Sequence, residues 1–315
     1  MNRQVYFLAA LLLGPMLWLS GAPCAADTQV VLTRTPNGGI QPQAVMSADG
    51  TLHLIYFKGK PGAGDLYYVH RPAGQGSFTQ PIRVNSQPGS AVAIGTIRGG
   101  QIALGRGGHV FVVWNGSSKA QPRDPENAFP VLYTRLNQAK TAFEPQRNLM
   151  RKTTGLDGGA TIAADQDGHV YIAWHGLDQH GPKGEEHRRV WVARSDDDGK
   201  TWTDETAVSP AITGACGCCG MRAGVDRHGN VYLLYRSARE EVHRDMYLLV
   251  SRDHGHTFEA RKLQPWQING CPMSSEAFVE GPDGVSVAWE TDGQVYASVI
   301  DEKKGDVSHP DSAPG

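Results

Sequence analysis

The placement of four cysteines says most about chemistry in this sequence. Cys216, Cys218 and Cys219 stand within the six residues Ala215–Gly220, and Cys271 follows in Gly270-Cys271-Pro272-Met273. Four cysteines allow three complete pairings. Each of them forces a bridge inside Cys216–Cys219, where the loop is too short for ordinary disulfide geometry and the bond is readily reduced. The plain expectation is one bridge from the cluster to Cys271, with the other two as a tight pair or as free thiols. The sharper one is a thiolate metal site, either Cu(I) with Met221 and Met273 as further soft donors or zinc held by the cysteines. The Cys-x-Cys-Cys spacing matches no standard zinc motif, and a redox role for a strained pair is a third option.

A second set of residues carries charge. Arg222, Arg236, Glu276 and Glu290 are the candidate catalytic groups, two guanidinium grips and two carboxylates of which one serves as base. His175, Asn115, Trp174 and Arg244 are the candidate substrate-binding groups. Such a set suits an anionic or hydroxyl-rich ligand; the bland alternative is that these charges neutralise one another across a wet channel. His175, His180 and His187 share one loop, but their spacing fits no tight metal site.

The elements that must position these residues repeat. A Gly-containing turn leads into an apolar strand that ends in an aromatic: Gly50 to Tyr56, Gly108 to Trp114, Gly168 to Trp174, Gly229 to Tyr235 and Gly284 to Trp289. The closing aromatics lie 58, 60, 61 and 54 residues apart. Each copy has a strand upstream and a strand downstream, and three show a fourth short strand around residues 81–85, 205–209 and 260–264. β-Branched and aromatic residues dominate these runs and no helical period is sustained. Four strands per unit, repeated radially, predict an all-β propeller of five blades, with six blades as the alternative and a β-helix disfavoured by the length of the repeat. The last unit lacks its fourth strand, which Gln29–Arg34 is expected to supply, closing the ring. The repeat brings Phe57, Asn115, His175, Arg236 and Glu290 to the same end of the ring as Gln43, Gln101, Thr161, Arg222 and Glu276. Both cysteine clusters approach that end from adjacent blades.

Two units carry a sharper motif. Ser195-Asp196-Asp197-Asp198-Gly199-Lys200-Thr201-Trp202 and Ser251-Arg252-Asp253-His254-Gly255-His256-Thr257-Phe258 both read Ser-x-Asp-x-Gly-x-Thr-aromatic, 56 residues apart. Asp and Ser bond the backbone of such a turn and Gly permits its left-handed step. The motif resembles the Asp-box, or BNR repeat, of sialidases and related propellers, and with the repeat the resemblance spans roughly residues 28–300. It implies a structural role on the outer rim for Ser195, Asp197, Gly199, Thr201, Trp202, Ser251, Asp253, Gly255, Thr257 and Phe258. It also implies an exo-glycosidase acting on sialic-acid-like or other anionic glycans. Sialidases resemble one another in an arginine triad, a Tyr nucleophile with its Glu, and an Asp acid/base. The Phe/Tyr-Arg-Ile-Pro segment that bears their first arginine is absent: neither Pro81-Ile82-Arg83-Val84 nor Thr96-Ile97-Arg98 matches it.

The first residues, with Arg3 before an apolar run from Val5 to Leu19 and small residues at Gly21–Ala26, have the layout of a secretory signal peptide. A retained anchor and a lipid on Cys24 are alternatives. The expected organisation is a signal at 1–26, a propeller at 27–302 and a disordered tail at 303–315, in a secreted or periplasmic monomer. A net charge of -2 over 315 residues gives no reason to expect nucleic acid as partner. A glycan-directed enzyme, a non-catalytic glycan- or protein-binding propeller, and a copper-, zinc- or redox-handling propeller all remain open.

Overall fold

A computed structural model describes residues 32–95, 97–281, 284–301, 307–308 and 310–312. The expected signal peptide lies outside the described residues. Thr35–Gly315 forms one unit, and its five small antiparallel sheets are set in a ring as a five-bladed propeller.

Blade one holds β1 (Ile40–Met46), β2 (Leu52–Lys60), β3 (Ala63–Arg71) and β4 (Ile82–Arg83). Blade two holds β5 (Gln101–Leu104), β6 (Val110–Asn115), β7 (Val131–Arg135) and β8 (Arg147–Asn148). In blade three, β9 (Thr153–Thr154) pairs with the far end of β11 (Val170–Asp178), which also lies between β10 (Thr161–Ala164) and β12 (Arg189–Ser195), with β13 (Thr206–Ala207) outermost. Blade four runs through β14 (Met221–Val225), β15 (Val231–Arg236), β16 (Met246–Ser251) and β17 (Glu259–Gln264). Blade five runs through β18 (Glu276–Gly281), β19 (Gly284–Thr291), β20 (Gln294–Ile300) and β21 (Asp311–Ser312).

The outermost strand of blade five differs from expectation. Ser312 and Asp311 pair with Tyr296 and Ala297, so the place assigned to Gln29–Arg34 is taken by the C-terminal segment. Closing a short loop after β20 costs less entropy than recruiting the opposite end of the chain. Residues 29–31 lie outside the described set, and 32–34 form no strand. Within the segment expected to be disordered, Val307 bridges Ile300 and 311–312 is strand.

The closing aromatics explain why the repeat is so regular. Trp114, Trp174, Tyr235 and Trp289 are each almost wholly buried and fill the space between neighbouring sheets. Every residue of β6 and β15 is buried, because blades cover both faces of these strands. Removing one such indole costs about 3–5 kcal/mol.

Both Ser-x-Asp-x-Gly-x-Thr turns close in the same way. Ser195 Oγ donates to Asp197 (2.8 Å) and accepts from the Gly199 N–H, while Thr201 donates twice to Asp197, at 2.8 and 2.7 Å. Ser251, Gly255 and Thr257 repeat the pattern around Asp253. At Gly199 (φ 72°) a Cβ would overlap the Tyr133 hydroxyl of blade two, so glycine serves both the backbone and the blade contact. Burial pushes the Asp197 and Asp253 carboxyls up, but the Thr and Ser hydrogen bonds outweigh it and bring both to about 2. A depressed carboxylate contributes stability that is present above the usual value of 3.8 and is lost as pH falls through 2. The urea midpoint is therefore expected to drop between pH 4 and pH 2, and less steeply in Asp197→Asn/Asp253→Asn. Parallel curves for the two proteins would remove these turns as the cause.

Candidate functional site

The connection from β13 into β14 carries Cys216–Gly220 across the end of the ring where the innermost strands begin. Backbone bonds pin it: the Cys216 N–H donates to the Arg236 carbonyl (2.8 Å), and the Gly220 N–H donates to the Ser274 carbonyl (2.9 Å). Gly220 has to be glycine for this approach, since a Cβ there would lie 2.6 Å from Glu276 Oε2. Facing this loop is the connection from β17 into β18, which carries Cys271 and Ser274.

A disulfide joins Cys218 to Cys271 and staples blade four to blade five, with the Cα atoms 6.4 Å apart. Cys216 and Cys219 are free thiols, and both are buried. Cys216 Sγ lies 3.2 Å from Cys219 Sγ, to which it donates, and 3.2 Å from Cys218 Sγ. One sulfur thus touches both a thiol and a disulfide. Burial grades outward from Cys216 and Cys219 through the half-buried Cys218 to the exposed Cys271. The hydrogen bond from Cys216 holds the Cys219 thiol down to about 6 against the opposing effect of burial, with help from Ser274 and Arg236. The same contact and burial push Cys216 up.

Charged groups ring the sulfurs. Arg236 is fully buried. It donates from Nε to Ser274 Oγ (2.7 Å), from Nη1 to the Arg244 carbonyl (2.6 Å), and from Nη2 to the Glu290 carbonyl and Thr291 Oγ1. Its guanidinium also lies 4.8 Å from the centre of the Trp266 ring. Arg244 bonds Glu185 at 2.9 Å and the Glu241 carbonyl at 3.0 Å, while its Nε and Nη1 have no partner among the described residues. Neither carboxyl oxygen of Glu276 has a hydrogen-bond partner among the described residues, and burial, then the neighbouring Cys219, raise its pKa well above the carboxylate range. His175 is wholly buried. Burial, then Arg188, lower its pKa to about 3, so it is neutral.

The predicted site residues are brought together only in part. Arg222 and Glu276 line one cavity of about 40 Å³ with Gln101, Gly159 and Gly220; Arg222 donates to Gln101 and to the Glu276 carbonyl. Arg236 is committed to the blade four–five seam instead. Glu290 accepts from the Gly293 N–H in the turn after β19. Asn115 braces the start of blade three through the Gly158 carbonyl and the Ala160 N–H. Trp174 lies in the core and donates to Thr153 Oγ1. His180 and His187 are exposed, apart from the buried His175. Met221 packs with Leu233 and Tyr235, and Met273 is 57% exposed.

Sequence reasoning missed the polar collar that meets the sulfur loop. Asp157 pairs with Arg98 and lies 3.4 Å from Arg188, and Glu185 accepts from the Gly217 N–H at 3.3 Å. The signal was present in Asp157, flanked by glycines at the position in blade three that the cysteines occupy in blade four.

No protein-family model and no curated protein matches this sequence. Solved structures do. A protein of unknown function from Dyadobacter fermentans aligns at 14% identity and a TM-score of 0.58, covering 86% of this chain and 81% of its own. The NanB sialidase of Streptococcus pneumoniae, as its K499G mutant, aligns at 10% identity and 0.53, and the Trypanosoma rangeli sialidase bound to DANA at 11% and 0.52. The fold is that of a sialidase-like propeller. The two alignments span 86% and 87% of this chain but only 61% and 48% of the sialidases. At such identities the likeness extends to the fold alone. No helix among the described residues is long and apolar enough to cross a membrane.

Proposed function

We propose that this sialidase-like propeller is an exported thiol–disulfide redox protein whose working centre is the Cys216, Cys218, Cys219 and Cys271 cluster. The observation that carries the reading is the contact of Cys216 with both the Cys219 thiol and the bridged Cys218 sulfur, each at 3.2 Å. A thiolate attacks a disulfide sulfur through a mixed disulfide, so this spacing places nucleophile and electrophile side by side. The Arg236 charge favours the thiolate at Cys219, and the Arg244 charge favours it at Cys216 against the burial and Cys219 contact that push Cys216 up. Export fits the sequence of residues 1–26, since an oxidising compartment preserves the bridge.

A soft-metal reading is favoured by one observation: the Cys216, Cys218 and Cys219 sulfurs lie within 4.8 Å of one another. With the bridge reduced, these thiolates suit Cu(I) or zinc, and the buried arginines offset the charge of the complex. For a glycosidase the fold is suitable, but a cavity of about 40 Å³ at Arg222 and Glu276 is far below the roughly 300 Å³ or more of ligand pockets.

Native mass spectrometry of the mature protein separates these readings, with sialoside turnover assayed in parallel. The redox reading expects the mass of one disulfide and two thiols, no metal and no turnover. Copper or zinc that leaves on denaturation would replace it with the metal reading, and sialoside cleavage would replace it with the glycosidase reading.

A further inference from the structure

The graded exposure of the four sulfurs gives the cluster a direction. Cys216 is buried against the Arg236 carbonyl, Cys218 is half-buried, and Cys271 stands exposed on the loop before β18. A reagent or partner in solvent therefore meets the Cys271 side of the bridge, whereas the reducing thiols are inside.

Resting on the redox reading, we propose that Cys216 displaces Cys271 from Cys218 inside the folded protein, so that Cys271 becomes a covalent docking site for the disulfide of a partner. The exchange balances without an outside oxidant or reductant. Cys216 passes its proton to the Cys219 thiolate along the hydrogen bond that already joins them. The Cys216 thiolate then attacks Cys218 Sγ from 3.2 Å. The Cys216–Cys218 bond forms, the Cys218–Cys271 bond breaks, and Cys271 leaves with the electron pair as a thiolate. One disulfide, one thiol and one thiolate stand on each side of the reaction. The Cys271 thiolate next attacks a disulfide of the form R–S–S–R′, giving Cys271–S–S–R and releasing R′–S⁻. The substrate class is thus an accessible disulfide, on a protein or a small molecule, and no buried pocket is required to receive it.

The chemistry selects Cys216 over Cys219 as the attacking group. Cys219 is covalently next to Cys218, and a bridge between neighbours is the poorest geometry the cluster offers. Cys219 takes the proton along the hydrogen bond that joins the two sulfurs, and the Arg244 charge favours the anion left on Cys216.

The test uses the full mature chain, folded and without added reductant. The protein is incubated with N-ethylmaleimide, quenched in acid and mapped by peptide mass spectrometry. The expected result is maleimide on Cys271 together with a Cys216–Cys218 crosslink. Cys216→Ser is expected to lose at least tenfold of the Cys271 label while its near-UV circular dichroism is unchanged. Cys219→Ser is expected to retain labelling but to need higher pH. Maleimide confined to Cys216 or Cys219 in the wild type, with Cys218–Cys271 intact, would overturn the exchange even if the bridge proves reducible by dithiothreitol. A bridge that no reductant opens in the folded protein would overturn the redox reading itself, so the two failures are distinct.

Discussion

Replacing Arg236 by Met is expected to lower the unfolding free energy by about 2–6 kcal/mol, because the Arg244 and Glu290 carbonyls lose their donor at roughly 1–3 kcal/mol each. Met has similar length and remains apolar against Trp266, so the loss comes from the polar ties and not from a cavity. Ser274 Oγ and Thr291 Oγ1 are untied as well, which loosens the loop that carries Cys271. Chemical denaturation of wild type and Arg236→Met, read by tryptophan fluorescence, measures it. A substrate grip would behave in the opposite way: its removal would abolish activity and leave stability within about 0.5 kcal/mol. That outcome would return Arg236 to the catalytic role that its strand-end position suggested.

Loss of the Cys218–Cys271 bridge is the second large effect. The bridged residues are 53 apart, and cross-linking a loop of that size restricts the unfolded chain by about 4 kcal/mol in the entropy account, with about 2–4 kcal/mol usually realised. Cys271→Ser is expected to lose this amount in denaturation curves. Because the bridge is exposed at one end and backed by two thiols, mild reductant should bring the wild type to the same midpoint and leave Cys271→Ser unmoved. A variant that falls by the expected amount beside a wild type indifferent to reductant would make the bridge a staple and nothing more.

Much of the ring was legible because the same physical demand recurs in each blade. Most middle strands bury both faces, so apolar runs ending in Trp or Tyr recur at near-constant spacing, and the structure places Trp114, Trp174, Tyr235 and Trp289 between blades. The two Ser-x-Asp-x-Gly-x-Thr turns were legible for a local reason, since Asp197 and Asp253 bond their own backbone. What was hidden depends on contacts made late. Asp311–Ser312 completes blade five as two residues of polar sequence, and only pairing with Tyr296 and Ala297 makes them a strand. Thr153–Thr154 joins blade three because β11 runs on past Trp174 to Asp178.

At the site, residue type was more informative than position. The cysteines announce thiol chemistry wherever they lie, and the bridge from the cluster to Cys271 follows from their adjacency at one end of neighbouring blades. Which sulfur forms it does not, because Cys216, Cys218 and Cys219 are equivalent in sequence and differ only in burial. Strand-end position placed Arg222 and Glu276 correctly together. Arg236 lies on the same strand face as Arg222, two residues from Leu234, the cross-strand partner of Arg222. Its guanidinium is nonetheless tied to Ser274 and Thr291 of the adjoining blade, while its charge still acts on Glu276.

The most direct measurement of the redox claim is the reduction potential of the Cys218–Cys271 bridge in the folded protein. It is taken by equilibration in dithiothreitol or glutathione buffers, acid trapping and mass spectrometry. A labile bridge predicts two-electron reduction above about −300 mV, with the fold retained throughout by circular dichroism. A bridge that stays closed below that potential, or opens only as the protein unfolds, would contradict it.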